Sequence, residues 1–308
     1  MTSAADDVGA GKRGLERFIP SGRTLVILVP LIWLFVFFIL PLFLVLKISV
    51  SEAALARPPY LPLFEWSDDN FLKFTLNFGN YAYLIEDSLY YKAYLESVTI
   101  AFLSTVICLL IGYPMAYYIA KKQGAVRAIL LLMIILPFWT SFLLRVYAWI
   151  GILKPKGILS SALISLGIID EPLQLLQTDF ATLLGIVYTY LPFMILPLYA
   201  NLAKLDGTLL EAAADLGSRP IKAFLTVTLP LSIPGIMAGS LLVFIPAVGE
   251  FVIPALLGGP DTLMIGRVLW DEFFSNRDWP VASAVAVVML LLIVLPTMFL
   301  RAQQKEEA

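Results

Sequence analysis

Histidine is absent from these 308 residues, and cysteine occurs once, as Cys108. Without histidine there is no H-E-x-x-H zinc site and no Ser-His-Asp or Cys-His arrangement. No metal site or catalytic residue is therefore expected, and the chain reads as non-catalytic. A lone cysteine forms no internal disulfide; flanked by apolar residues, Cys108 is expected as a small core residue rather than a redox thiol. Charge is also scarce. Asp, Glu, Lys and Arg make up 14% of the chain, against about 25% in soluble domains. The net charge is −2, and no basic block is long enough to follow a phosphate backbone, which sets nucleic acid aside as a partner. Also missing is a G-x4-G-K-[ST] phosphate loop, since Gly11-Lys12 lacks both the upstream glycine and the following Ser or Thr. If ATP drives this protein, another polypeptide hydrolyses it.

What is present is apolar. Hydrophobic residues make up 60% of the chain, with a mean hydropathy of +0.88. They are gathered in runs longer than the ~20 residues that cross a bilayer core. The chain therefore reads as an all-α integral membrane protein. Its backbone groups must be satisfied internally in lipid, which requires helices. Six spans are expected, at about 24–47, 96–120, 128–152, 181–203, 232–257 and 280–300, between an N-terminal segment 1–23 and a tail 301–308. The first run follows Lys12, Arg13, Arg17 and Arg23 and precedes Ala54-Leu55-Ala56, as a cleaved leader would. It exceeds the ~7–15 apolar residues of such a leader, which favours an uncleaved anchor.

Basic residues set the orientation. They occupy the N-terminal segment, the tight loop after the second span (Lys121, Lys122, Arg127) and the loop after the fourth (Lys204, Arg219, Lys222). The long loop 51–95 instead carries Glu52, Glu65, Asp68, Asp69, Glu86 and Asp87 against Arg57, Lys73 and Lys92. The positive-inside rule then places both termini and the loop after span four in the cytoplasm. The Pro-rich start of loop 51–95 reads as a turn-rich connector. Tyr81 to Tyr94, with aromatics among acids, reads as an interfacial helix or a plain plug.

The loop between spans four and five holds the most specific pattern. Thr208 and Glu211 have capping-box spacing, Ala212, Ala213 and Ala214 are strong helix formers, and Gly217 is placed for a left-handed C-terminal cap. Pro220 suits the first turn of the next helix. A two-turn helix, a corner and a second helix are predicted. Leu209, Leu210, Ala213 and Leu216 recur at 3–4 spacing, a face that can bury against a partner; the bland alternative is a well-capped connector in which Glu211 only caps. The full spacing, Glu211-Ala212-Ala213, Gly217, Val227 and Leu229-Pro230, resembles the EAA signature of binding-protein-dependent ABC importer permeases, with Val227 where isoleucine is commonest.

Further stretches are similar to the polyamine branch of that family: Leu136 through Trp149, Leu191-Pro192-Phe193-Met194, Phe244 through Phe251, Leu256 through Pro260 with Ile265-Gly266, and Asn276 through Pro280. With the EAA loop they span roughly residues 95–300. The resemblance implies a type I ABC permease fold in a bacterial inner membrane. It implies a coupling helix seated in a cytoplasmic ATPase, a second homologous permease, two ATPase subunits that bind ATP and Mg, and a periplasmic polyamine-binding protein, with putrescine or spermidine as cargo. Ferric-ion and thiamine importers share the EAA layout, so another small solute is the alternative. A stand-alone secondary transporter does not explain the EAA loop, and an intramembrane enzyme lacks any nucleophile–base pair.

Ionisable groups inside spans are costly and are functional candidates by default. Glu250 and Arg145 each fall about 27 Å along their spans on a straight-helix count. They pair with each other as scaffold, or Glu250 receives an amine cation, or they are simply exposed at the membrane interface. Tyr147, Trp149, Tyr188 and Tyr190, with Trp139, are either packing residues or the lining of a cation route. Trp270 and Asp271, beside Glu272, are placed in an outer loop, to receive a cation or simply to face solvent.

Overall fold

The computed structural model describes residues 22–66 and 72–306. The expected segment 1–23 as far as residue 21, Asp68, Asp69 and the last two residues of the tail lie outside the described residues. The chain opens with α1 (Gly22–Leu34) and α2 (Leu40–Ser49), joined through a π-turn at Phe35–Ile39. Proline explains that turn. Pro41 has no N–H for the carbonyl four residues back, and its ring crowds that carbonyl, so the ladder widens just before it. Phe224–Thr228, ahead of Pro230, repeats the arrangement.

Loop 51–95 is more ordered than a connector. A hairpin pairs β1 (Phe64–Trp66) with β2 (Leu72–Phe74), Glu65 opposite Lys73, inside an otherwise helical chain. Then come α3 (Gly79–Glu86) and the 33-residue α4 (Ser88–Ala120). The interfacial helix expected over Tyr81 to Tyr94 is thus cut at Asp87, whose carboxylate accepts from Leu89 N–H at 2.9 Å. Its second half belongs to the long span, which starts eight residues before the expected 96.

The third apolar run is bent rather than straight. Helix α5 (Gly124–Ile135) passes through a 3-10 turn, Leu136–Trp139, into α6 (Phe142–Leu153) and α7 (Ile158–Ser165), and the two halves meet at 89°. Pro137 removes a ladder N–H, and Thr140 turns extended, at φ −94° and ψ 151°. The straight-helix depth for Arg145 therefore does not hold. Helix α8 (Asp179–Leu202) leads to α9 (Thr208–Asp215), then α10 (Pro220–Ala223) and α11 (Leu229–Val248). The fifth run stops at Val248, not 257. After a break comes α12 (Val252–Leu257), then α13 (Ile265–Trp270), a π-turn at Asp271–Asn276, and α14 (Trp279–Glu306). Trp270 and Asp271 are thus helical, not loop.

Among the described residues, four helical stretches, Val26–Ser49, Ser88–Ala120, Asp179–Leu202 and Pro220–Val248, are long and apolar enough to cross a membrane, and the bent pair makes a fifth if counted as one. Trp279–Val294 is a shorter apolar stretch. Helices α4, α8 and α11 form the centre. Gly112 and Gly239 let them approach: a methyl at Gly239 would meet the Met194 sulfur at 2.8 Å and its backbone oxygen at 3.1 Å. Cys108 is fully buried in this core, as expected.

Candidate functional site

The first site is the corner after α8. Helix α9 buries none of its residues. Its start differs from the capping box predicted on Thr208: the Asp206 carboxylate accepts the Thr208 N–H at 3.0 Å, and Leu209 and Glu211 bond back to the carbonyls of Asp206 and Gly207. Asp206 is one turn position better placed, because the chain is already helical at Gly207. The C-terminal end is as predicted. Gly217 has φ +77°, its N–H donates to Ala214 O at 2.8 Å, and the Ser218 N–H reaches Ala213 O at 2.9 Å. Both bonds define a Schellman cap, which satisfies the last helical carbonyls. Pro220 then opens α10.

Two leucines stand exposed at this corner among polar neighbours. Leu209 is 45% exposed and Leu216 89% exposed, while Leu210 and Ala213 are half-buried. Beneath the helix lies a cavity of about 200 Å³, bounded by Leu209, Leu210, Tyr117, Lys121 and Thr228. Glu211 and Ala212 point outward with no side-chain bond. The corner is a pre-shaped knob attached to the bundle over a void.

The second site is the break after α11. Glu250 is 9% exposed and sits between helices, not within one. Its Oε1 accepts from the N–H groups of Val252 at 3.0 Å and Ile253 at 3.4 Å, capping α12, and its Oε2 accepts the Tyr190 hydroxyl at 2.6 Å. Gly266 of α13 presses on the same break: a Cβ there would meet Gly249 O at 2.4 Å and Glu250 O at 2.7 Å. Phe251 stacks on Trp270 at 4.4 Å and 9°, and Trp270 meets Phe274 at 4.2 Å. Trp270 thus joins the Glu250 site through Phe251. From the sequence, Phe251 and Gly266 figured only within stretches of family resemblance, with no role at this site.

Arg145 and Glu250 do not pair. The Arg145 guanidinium lies over the rings of Phe138 at 5.4 Å and Phe142 at 5.8 Å, and its buried Nε has no acceptor. The bend at Thr140 redirects α6, so equal counts along two spans do not bring the residues together. Trp149 meets Tyr188 edge-on at 5.4 Å, Tyr147 is 56% exposed, and Asp271 is exposed. Of the aromatics singled out from the sequence, Tyr190 is the one that hydrogen-bonds the carboxylate among the described residues.

Residues 108–305 match the family described as binding-protein-dependent transport system inner membrane component. The chain is 42% identical over 263 residues to the spermidine/putrescine transport system permease protein PotB of Haemophilus influenzae, covering 85% of this chain and 87% of that protein. It is 42% identical over 226 residues to PotB of Escherichia coli K12, covering 73% and 82%. Its fold is similar to a chain of a bacterial alginate ABC transporter crystallised with an alginate pentasaccharide-bound periplasmic protein. There the TM-score is 0.67 at 15% identity, over 89% of this chain and 90% of that one.

Proposed function

The chain belongs to the family of binding-protein-dependent transport system inner membrane components, and from that premise we propose that it is the permease subunit of an ATP-driven polyamine importer, with putrescine the first cargo to test. It crosses the inner membrane six times, counting the bent pair and α14 as one span each, with both termini in the cytoplasm. A second homologous permease completes the path, two ATPase subunits supply hydrolysis of Mg-bound ATP, and a periplasmic protein delivers the amine. A cysteine replacing Gly124 in a Cys108→Ser background is expected to label with an impermeant thiol reagent only in opened membranes, and one replacing Leu55 in intact spheroplasts. The reverse pattern overturns the orientation.

One observation carries the coupling role: α9 is shaped by its own caps, buries nothing, and leaves Leu209 and the following Leu216 exposed, on a chain with no phosphate loop of its own. We read it as the coupling helix, with Leu210, Glu211, Ala212 and Gly217 setting its surface and aim. Gly217→Val places a β-branched residue at φ +77°, which costs ~1–2 kcal/mol locally and misaims the knob. Normal insertion with loss of transport-linked ATP hydrolysis is expected. Full transport by the variant overturns the reading.

Glu250 supports a cationic cargo. Its three donors are one hydroxyl and two amides, so among the described residues it is a nearly buried carboxylate without a cationic partner. Such a charge in a membrane is costly unless it is used. It stands at the break with Tyr190 and the Phe251–Trp270 stack, and with Asp271, Tyr147, Trp149 and Tyr188 we place it along the route. Glu250→Gln is expected to raise the half-saturating amine concentration about tenfold, the loss of a charge-assisted contact of ~1.5–3 kcal/mol. Undiminished uptake at low amine concentration by a well-assembled variant removes Glu250 from the path.

A further inference from the structure

Where α2 ends and α14 begins, the surface opens into a cleft of about 440 Å³ lined by Arg57, Pro59, Phe273, Phe274, Arg277 and Trp279 among others. Among the described residues, no carboxylate lines it. Among the described residues, neither guanidinium donates a hydrogen bond or joins an ion pair. Of the acids on or beside the turn, Glu272 accepts from Tyr90 at 2.8 Å and from Asn276 at 2.9 Å, Asp278 accepts from the Val281 N–H at 3.1 Å, and Asp271 is exposed. Two exposed arginines therefore face one opening with no charge partner among the described residues. They also stand on the side where the basic residues of this chain are fewest, so they are not explained by orientation.

The backbone makes Arg277 more telling. It holds φ +57° at the end of the π-turn, with its N–H on Glu272 O. Glycine or asparagine sits in that left-handed position with less strain, so the guanidinium, rather than the turn, accounts for an arginine there. The cleft wall is aromatic: Phe273 stacks on Trp279 at 4.8 Å and 6°, and Tyr60 meets Trp279 at 6.3 Å. Tryptophan and tyrosine at the ends of spans mark headgroup level. Alongside, the apolar stretch Val26–Ser49 has a most hydrophobic window with no buried residue, a surface suited to acyl chains.

We propose that this cleft seats the headgroup phosphate of an anionic phospholipid. The guanidinium fork matches phosphate oxygens, the aromatic wall covers the glycerol side, and the lipid tails continue along the first helix. The inference rests on the membrane-spanning reading of the chain and is independent of its cargo.

The assembled transporter, reconstituted in vesicles of phosphatidylcholine with one part in five phosphatidylglycerol and re-extracted in mild detergent, tests it. Phosphatidylglycerol retained per complex is counted by mass spectrometry. The wild type is expected to retain it in preference to phosphatidylcholine. Arg57→Gln and Arg277→Asn should each lower that preference about fivefold. Asparagine tolerates the left-handed turn, so the Arg277→Asn complex should keep its thermal stability, separating loss of the site from loss of the fold. Equal retention by wild type and double variant overturns the proposal. So does retention abolished by added inorganic phosphate, which marks a free-anion site. Loss of docking by the delivery protein with lipid retention intact gives the cleft to an acidic protein segment instead. None of these readouts depends on which amine is carried.

Discussion

The corner at Gly217 and the break at Gly249–Phe251 are both places where one helix stops and another starts, and they are built in opposite ways. Every bond that shapes the corner runs between near neighbours in sequence: Asp206 to Thr208, Ala214 to Gly217, Ala213 to Ser218. A methyl placed on Gly217 would meet nothing within 4 Å. At the break, the Glu250 carboxylate is held by Tyr190, sixty positions earlier, while Gly266 lies against the turning backbone and the Met289 side chain lies 3.7 Å from where a Gly249 Cβ would be. A self-shaped corner keeps its form when it is gripped or displaced as a unit. A break held from three helices moves only if those helices move. That division suits a part that receives force and a part that responds to it.

The largest effect should come from asking both glycines to carry the same methyl. Gly266→Ala drives a Cβ to 2.4 Å from Gly249 O, a backbone atom that cannot swing aside. Overpacking of this kind costs ~3 kcal/mol, and the complex should lose much of its thermal stability in detergent. Gly217→Ala has open space around it and pays only the left-handed conformation, ~1 kcal/mol. Similar melting shifts for the two variants would dissolve the contrast between locally shaped and packed.

A finer test is a double-mutant cycle at the break. Tyr190→Phe removes the 2.6 Å donor from Glu250, and Glu250→Gln removes the charge it serves. Each should destabilise by ~1.5–3 kcal/mol, with a coupling of at least ~0.5 kcal/mol because they share a bond. Strict additivity would mean that the hydroxyl and the carboxylate act separately.

The smallest effects sharpen the corner itself. Asp206→Ala should cost ~1 kcal/mol of local helix stability, read as faster hydrogen exchange at the amides of Ala212 to Ala214. Thr208→Val should fall within ~0.5 kcal/mol, since the Thr208 hydroxyl caps nothing and only its N–H is bonded. A larger loss from the Thr208 variant would restore the capping box that the sequence suggests.

The corner was legible before the structure because its information is local. Ala212 to Ala214 in the helix, Gly217 in a left-handed cap and Pro220 at the next helix start act over a few residues, and only the capping residue slipped, from Thr208 to Asp206. Four of the long apolar runs were legible for the same kind of reason, since ~20 apolar residues in sequence suffice to cross a bilayer, whereas the third is bent and Trp279–Val294 is shorter. The bend between Trp139 and Phe142 was not. Pro137 marks a weak point, yet whether a helix kinks slightly or turns through 89° depends on what packs beyond it.

By itself, then, the sequence determined the apolar helical class, the absence of a phosphate loop, and the shape of α9, because hydrophobic length, missing motifs and end caps are properties of short stretches of chain. Only the tertiary structure decided that Arg145 stacks on Phe138 and Phe142, while Glu250 takes the Tyr190 hydroxyl and caps α12. Two ionisable residues at equal depth on a straight-helix count have equal claim on each other. Which partners they meet is set by the direction of the helices that carry them, and direction is fixed by bends and by packing between segments far apart in the chain.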